Sequence, residues 1–357
     1  MIIFLTGTNG FLGQALAERL LNNQHEVHGL ILEKTCKVKG VIPHKCDLLN
    51  FKKIGKILKE VNPDMIIHLA ARTEVEKSFY DPIEFSMVNY GGTVNLIEKS
   101  KNLPNLKLFI FASTMETYGE VYTKERVLNQ TEIFLPFDED TPQKPNAPYA
   151  VAKVGCEYYL KYTGRTQNFP YVILRQTNTY GRYDNDFFVV EQMITQMLKQ
   201  MKKKDPAKRV VKFGYKDPYR NFLFVDDLMN LYETIIANPE KARGQIFCCG
   251  PNNALTMKNL AKKIAEKIGY DGQIFWDTKR KRVGEIYYLN SVATKVQEVL
   301  GWSPKTTLDE GLDLTIKLWR NNLKIYERDN NSDKENSALH EVQPASPDNA
   351  AETSTAQ

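Results

Sequence analysis

Long apolar runs are missing from this 357-residue chain. None approaches the roughly 18–20 residues that a membrane-crossing helix requires, so no membrane association is expected. The opening MIIFLTGTNGFLG lacks a basic leading segment and a small-residue cleavage site, and does not read as a secretory signal. Cysteine is scarce. Cys36, Cys46, Cys156, Cys248 and Cys249 are odd in number, scattered and without a CxxC. That argues against a disulfide framework and a zinc site, and for reduced thiols in a cytoplasmic protein with no bound metal. Aromatic residues are missing from the strongly basic run KQMKKKDPAKR (199–209). Without them it is a solvated charged face rather than a single-strand surface, and no nucleic-acid partner is expected.

With 42% hydrophobic and 25% charged residues, the chain can bury the core of one large or two coupled domains. From Asp329 onward six acids face one lysine and large apolar residues are few. Residues 329–357 therefore read as a disordered acidic tail. The rest is more basic than the overall net charge of +5 implies, which suits a polyanionic ligand.

Strand-like and helix-like patterns alternate through the first half. MIIFLTG, EVHGLI, DMIIHLAA, LKLFIFAS and YVILRQTN read as strands. FLGQALAERLLNN, NFKKIGKILKEV, FSMVNYGGTVNLIEKSK and PYAVAKVGCEYYLKYT read as helices. The alternation predicts right-handed βαβ crossovers and a Rossmann-type, doubly wound parallel sheet in an α/β fold. The domain expected over 1–180 is the dinucleotide-binding one, with part of 209–240 returning to it. A smaller interleaved α/β domain over 181–323 is expected to bind substrate.

TGTNGFLG places Gly7, Gly10 and Gly13 after the first strand and at the start of the first helix. Glycine permits the tight turn and close approach of a pyrophosphate, and the helix N-terminus supplies free N–H groups. The spacing is GxxGxxG rather than GxGxxG, and any tight βα turn can use glycine. Glu33 lies 20 residues beyond Gly13, where an acid accepts from the adenosine ribose. That favours NAD, although Lys34 and Lys37 could hold the extra phosphate of NADP. Asp47 is placed either to reach the adenosine or to cap the following helix.

PYAVAK puts Tyr149 and Lys153 at i and i+4 on one helix face. A neighbouring ammonium and an oxidised nicotinamide would both favour the phenolate, making Tyr149 a base. Tyr and Lys four apart also occur by chance, so the context decides.

The set TGTNGFLG, CDLLN, IIHLAA, VNYGGTVNL, FASTMETYG, PYAVAK, LRQTNTYGR, RNFLFVDDL and RVGEIYYLNSVATKVQEVLGW resembles an extended short-chain dehydrogenase/reductase. More narrowly, it is similar to the NAD-dependent nucleotide-sugar epimerase/dehydratase family over about residues 1–323. The resemblance implies a nucleoside-diphosphate sugar as substrate and a homodimer formed by the helix of Tyr149 and the helix near Asn89. It implies catalysis by Thr114, Glu116, Tyr149 and Lys153. Cofactor contacts are expected at Gly7, Gly10, Phe11, Leu12, Gly13, Glu33, Asp47, Leu48, Ala70 and Asn89, together with Tyr149 and Lys153. Substrate contacts are expected at Ser113, Asn178, Arg220 and Arg282. Val283 and Val292 stand where the family often has Pro and Asp.

The resemblance also frames residues 114–116. Dehydratases of this family carry Thr-Asp-Glu or Thr-Ser-Glu, pairing an acid with a base. This chain has Thr114-Met115-Glu116, and a thioether has no proton to give. Glu116 suits 4,6-dehydration, but it also occurs in epimerases and in UDP-glucuronate decarboxylases. Both 4,6-dehydration and 4-epimerisation are therefore carried forward, with decarboxylation and keto-sugar reduction behind. GLILEK and DFFVVEQMITQML lean toward GDP-mannose dehydratases. A catalytically silent cofactor-binding sensor or scaffold is the alternative of another class.

Overall fold

The computed structural model describes residues 1–130, 132–182, 185–277 and 284–338. Short buried apolar runs form its centre. β1 (Ile2–Thr6), β2 (Glu26–Ile31), β3 (Ile42–Lys45), β4 (Met65–His68), β5 (Leu108–Thr114) and β6 (Tyr171–Gln176) alternate with helices. The long crossovers are α1 (Phe11–Asn22), α2 (Phe51–Val61), α5 (Gly92–Ser100) and α7 (Pro148–Gln167). Short turns of helix add α3 (Val75–Ser78), α4 (Pro82–Ser86) and α6 (Lys124–Asn129). β4, β5 and β6 are almost wholly buried, as strands covered on both faces must be. β1 pairs in parallel with both β2 and β4, Ile3 lying opposite Val27 on one side and Met65 on the other.

The sheet has seven strands in the order β11-β6-β5-β4-β1-β2-β3, two more than the five strands read in the first half. β3 extends one edge. The other edge is β11 (Ile246–Cys248), which comes back from the second half to lie beside β6 with Ile246 opposite Ile173. The strand order reverses between β1 and β4, and ligands of such sheets sit at that switch point, beyond the carboxyl ends of the strands.

The second half builds a smaller layer. β7 (Asn178–Tyr180) pairs with β10 (Phe222–Phe224), and β8 (Val210–Phe213) with β13 (Gln273–Trp276). β9 (Tyr219–Arg220) lies between β12 (Leu255–Thr256) and β14 (Tyr288–Leu289). Helices α8 (Val189–Met201), α9 (Val225–Ala237) and α11 (Met257–Ile268) pack around them, while α12 (Thr294–Leu300) lies on β11 and α10 (Pro239–Ala242) bridges α9 and α12. Of the stretch expected to return to the first domain, β8 stays in the smaller layer. α9 does meet α1, through Arg19 to Asp226 and Glu233, each at 3.0 Å.

α13 runs Leu308–Ala338, so the backbone is helical for ten residues past the point where a disordered tail was expected. Among the described residues, no helix is long and apolar enough to cross a membrane.

Candidate active site

Gly7 has φ +73°, a conformation side chains rarely adopt, and a Cβ there would lie 2.8 Å from the Ala70 nitrogen. A Cβ on Gly13 would overlap the carbonyl oxygen of Gly7. The Gly10 amide donates to that same carbonyl at 3.0 Å. α1 therefore starts hard against the turn. Gly10 caps it without any side-chain bond, and its first turn holds no acid, so its leading N–H groups are available to an anion. This cradle fits a dinucleotide pyrophosphate. Phe11 lies at its rim, beneath the Arg182 guanidinium, which is 4.1 Å from the Phe11 ring centroid and 3.9 Å from that of Phe188. Leu12 is half-buried beside it.

Beyond β2, Asn9 organises the acid. Its amide donates to the Glu33 carboxylate at 2.8 Å and to the Thr35 carbonyl at 3.0 Å, and its Oδ1 accepts from the Lys37 amide at 2.9 Å. Burial opposes ionisation of Glu33, but backbone N–H groups and the Asn9 amide outweigh it and hold the carboxyl below its usual range. A fixed carboxylate accepts from a ribose diol and repels a phosphate. We therefore expect NAD to bind at least ~10-fold more tightly than NADP, a difference of about 1.4 kcal/mol. Glu33→Ala should shrink that ratio. Titration of both cofactors against both proteins checks it, and equal affinities in the wild type would refute it.

Asp47 is exposed and accepts from the Leu49 amide at 2.8 Å. It does not cap α2; Asn50 does, accepting from the Lys53 amide at 3.1 Å. Leu48 is buried close to Gly92, and its carbonyl accepts from Asn95.

His68, at the end of β4, has no counterpart among the residues read from sequence. Its Nδ1 lies 2.7 Å from the Thr6 hydroxyl and its Nε2 2.8 Å from that of Thr93. Complete burial, then the charge of Lys153, lowers its pKa to about 3, so it is a neutral tie between β1, β4 and α5. Asn89 sits on a π-helical turn, Met87–Gly91. Both ends of its amide are taken by the backbone of Arg72, at 2.8 and 2.9 Å. It was expected to touch the cofactor; here it pins the loop that contains Ala70.

Thr114 ends β5, and its hydroxyl accepts from the Glu116 amide at 3.2 Å, capping the 3-10 turn Met115–Tyr118. α7 opens at Pro148, fixing Tyr149 in the first turn. The Tyr149 phenol is buried and feels both neighbours. Burial and then the Glu116 carboxylate push its ionisation above the usual tyrosine range, while the Thr114 hydroxyl pulls it down. The expected acidification by Lys153 is not found in this structure. The amine instead reaches down to β5, donating to the Ala112 carbonyl at 2.8 Å, 4.7 Å from the Phe111 ring centroid. Burial lowers its own pKa to about 8, against the opposing pull of Cys156 and Glu157. Sharing a helix face brings Tyr149 and Lys153 close along the backbone, but the long lysine chain chooses a carbonyl over the phenol.

Ser113 was expected at the substrate. In an extended strand its side chain leaves the opposite face from Thr114, and it donates to Glu157 at 2.6 Å. Glu157, fully buried, is paired with the buried Arg175 at 2.8 Å and also accepts from Gln143 at 3.0 Å. This pair too was missed, although Glu157 continues the i, i+4, i+8 line from Tyr149 through Lys153. Met115 points away from the cleft into a cluster with Tyr118 and Phe137. Its sulfur accepts from the Thr177 hydroxyl at 2.8 Å. Asn178 donates to the Asn221 carbonyl at 3.2 Å. Arg220 is buried and paired with Glu285 at 2.8 Å. Arg282 lies outside the described residues.

A switch-point crevice, a glycine cradle, and a threonine–tyrosine–lysine set at the end of β5 and the start of α7 define an enzyme of the short-chain dehydrogenase/reductase type. Residues 4–315 match the family model described as GDP-mannose 4,6 dehydratase, and the chain belongs to that family. Its relatives divide by reaction. GDP-6-deoxy-D-mannose reductase of Pseudomonas aeruginosa is 27% identical, covering 90% of this chain and 98% of the relative. dTDP-glucose 4,6-dehydratase 1 of Escherichia coli is 26% identical, covering 91% and 94%. Among solved structures, UDP-glucose 4-epimerase of Thermotoga maritima with UDP-glucose has TM-score 0.79 and 28% identity, covering 90% of this chain and all of that one. The Thermus thermophilus UDP-glucose 4-epimerase complex with NAD has TM-score 0.77 and 25% identity, covering 90% and 99%.

Proposed function

We propose that the protein binds a nicotinamide dinucleotide and a nucleoside-diphosphate hexose, oxidises the sugar transiently at C4, and completes either 4,6-dehydration or 4-epimerisation. The observation that carries this is the buried Tyr149 phenol held beside Thr114 and Glu116 at the open end of the sheet. The Gly7–Gly13 turn, Glu33, Asp47, Leu48, Ala70 and Lys153 are the groups that would hold the dinucleotide. When bound, its oxidised form supplies a hydride acceptor and a positive charge. Thr114 orients the 4-hydroxyl, and Tyr149 takes its proton. Asn178, Arg220 and Arg282 are the proposed contacts to the sugar diphosphate, a task suited to guanidinium forks.

Each branch has an observation behind it. Glu116 stands beside the phenol, where a base for C5–H is needed, which favours dehydration. Met115 is buried and offers no acid for a departing 6-hydroxyl, which favours epimerisation, a route that needs none. Glu116→Gln separates them. Turnover of a panel of UDP-, GDP-, CDP- and dTDP-hexoses should give a 4-keto-6-deoxy product that the variant loses by about 10²-fold or more, or a C4-inverted product that it keeps. A panel that yields neither product, with no absorbance change near 340 nm, would leave the silent sensor as the reading.

The same proposal includes a homodimer. Val151, Tyr158 and Tyr162 line one exposed face of α7, and exposed Tyr90 packs on Gly155 of that helix, with Met87 and Ile83 beside it in sequence. Contiguous apolar surface of this kind marks an interface. Light scattering should give twice the monomer mass, and Tyr158→Arg should halve it; a monomeric wild type at micromolar concentration would refute the dimer. A reducing, cytoplasmic setting fits five free cysteines, four of them buried.

A further inference from the structure

A second concavity lies away from the residues assigned above. It is a shallow, solvent-open concavity of about 520 Å³ between the α6–α7 connection and the three-stranded sheet, a size typical of small-molecule sites. Its walls are of two chemical kinds. Phe134, Tyr219 and Tyr288 supply aromatic surface, and Asn252, Asn253 and Asn290 supply amides. Tyr219 and Arg220 are successive residues of β9, so their side chains leave opposite faces. The cavity therefore belongs to the face turned away from Arg220, the proposed diphosphate ligand.

Tyr288 touches both of the other rings. Tyr288 is 5.4 Å from Phe134 and 6.1 Å from Tyr219 between centroids, tilted by 41° and 47°. Tyr288 is itself buried among its neighbours, so the aromatic surface left to a ligand is the partly exposed flank of Phe134 and Tyr219, with no slot between facing rings that could sandwich a flat base. A ligand can lay only one face on them. No lysine or arginine is among the described residues lining the cavity, and its one carboxylate, Glu132, is paired with Arg126. That disfavours phosphates and other anions. The amides remain. Asn290 is buried and donates to Asn252 at 3.0 Å and to the Tyr288 hydroxyl at 3.2 Å, while its Oδ1 has no hydrogen-bond partner. Asn253 is exposed at the mouth. Amides offer donor and acceptor together, matching vicinal hydroxyls, and an aromatic wall matches the C–H face of a pyranose ring.

We propose that this cavity is a second ligand site, for a neutral saccharide of one or two rings, separate from the nucleotide-sugar cleft. The test uses the full chain, saturated with NAD and with whichever of UDP, GDP, CDP and dTDP it binds most tightly, so that nucleotide-dependent binding in the cleft is blocked. Glucose, mannose, N-acetylglucosamine and maltose are added in turn under saturation-transfer NMR and calorimetry. At least one should bind despite the saturating nucleotide. Asn253→Ala and Tyr219→Ala should each weaken it at least ~10-fold, and Asn253→Ala should leave sugar-nucleotide turnover unchanged. The site is refuted if none of the four binds, if the chosen nucleoside diphosphate displaces the sugar, or if both variants bind as tightly as the wild type. The NMR readout needs no turnover, so it stands even if the proposed reaction does not.

Discussion

Tyr149→Phe should reduce turnover of the cognate sugar nucleotide by about 10³-fold, within the 10²–10⁴ range for loss of a positioned general base, while the protein stays folded and dinucleotide affinity stays within about threefold. The phenyl ring keeps its place in the first turn of α7; only the hydroxyl beside Thr114 is lost. The phenol's surroundings sharpen the expectation. Burial and the Glu116 carboxylate hold the phenol above the normal tyrosine range, so the proton-accepting form is scarce until a positive charge arrives. The wild-type rate should therefore rise with pH on its acidic limb, because deprotonation creates the active form. Glu116→Gln removes the carboxylate that, together with burial, raises the phenol, and should move that limb to lower pH. Steady-state rates across pH 6–10 for the three proteins check this. A Tyr149→Phe enzyme retaining a tenth of wild-type turnover would remove Tyr149 from the chemistry.

The sheet was legible because its strands are buried on both faces and so read as unbroken apolar runs, and because each is followed by a helix of clear period. The two strands left out of it fail that pattern. β3 is four residues at an edge, IPHK, half-polar and containing proline. β11 is three residues whose partner, β6, lies some 70 positions earlier, and no local period reveals such a pairing. The glycine turn was legible because steric demand leaves a residue-type signature. Thr114, Tyr149 and Lys153 were legible as a motif, but their side-chain directions were not. Ser113 and Thr114 differ by one position and face opposite sides of the strand, and Lys153 finds a carbonyl instead of the phenol. Helix beyond residue 329 was hidden because the Asp, Asn and Ser that dominate there are weak helix formers and no apolar period continues through them.

The second large effect is expected beneath the site. Glu157 is fully buried and Arg175 nearly so, joined at 2.8 Å, with Ser113 and Gln143 also donating to the carboxylate and Tyr118 accepting from the guanidinium at 2.9 Å. Removing one partner leaves a buried charge uncompensated, which costs about 3–5 kcal/mol. Glu157→Gln keeps the shape and discards the charge, so it isolates that term, and denaturant unfolding should report a loss of this size. Pairing it with Arg175→Met should recover much of the loss, since replacing both members of a buried ion pair is often close to neutral. There is also a catalytic signature that simple loosening would not produce. The Glu157 charge is one of two influences that raise the Lys153 pKa against its burial. Without it, the lysine's pKa falls further below about 8, the charged amine is lost at lower pH, and the alkaline limb of the rate profile moves toward neutrality. Because Lys153 is a buried base depressed on folding, losing Glu157 also destabilises the fold most at pH values below the lysine's folded pKa, where the amine must still carry its charge. A Glu157→Gln protein that unfolds within 1 kcal/mol of wild type, with an unmoved alkaline limb, would reduce the pair to inert packing.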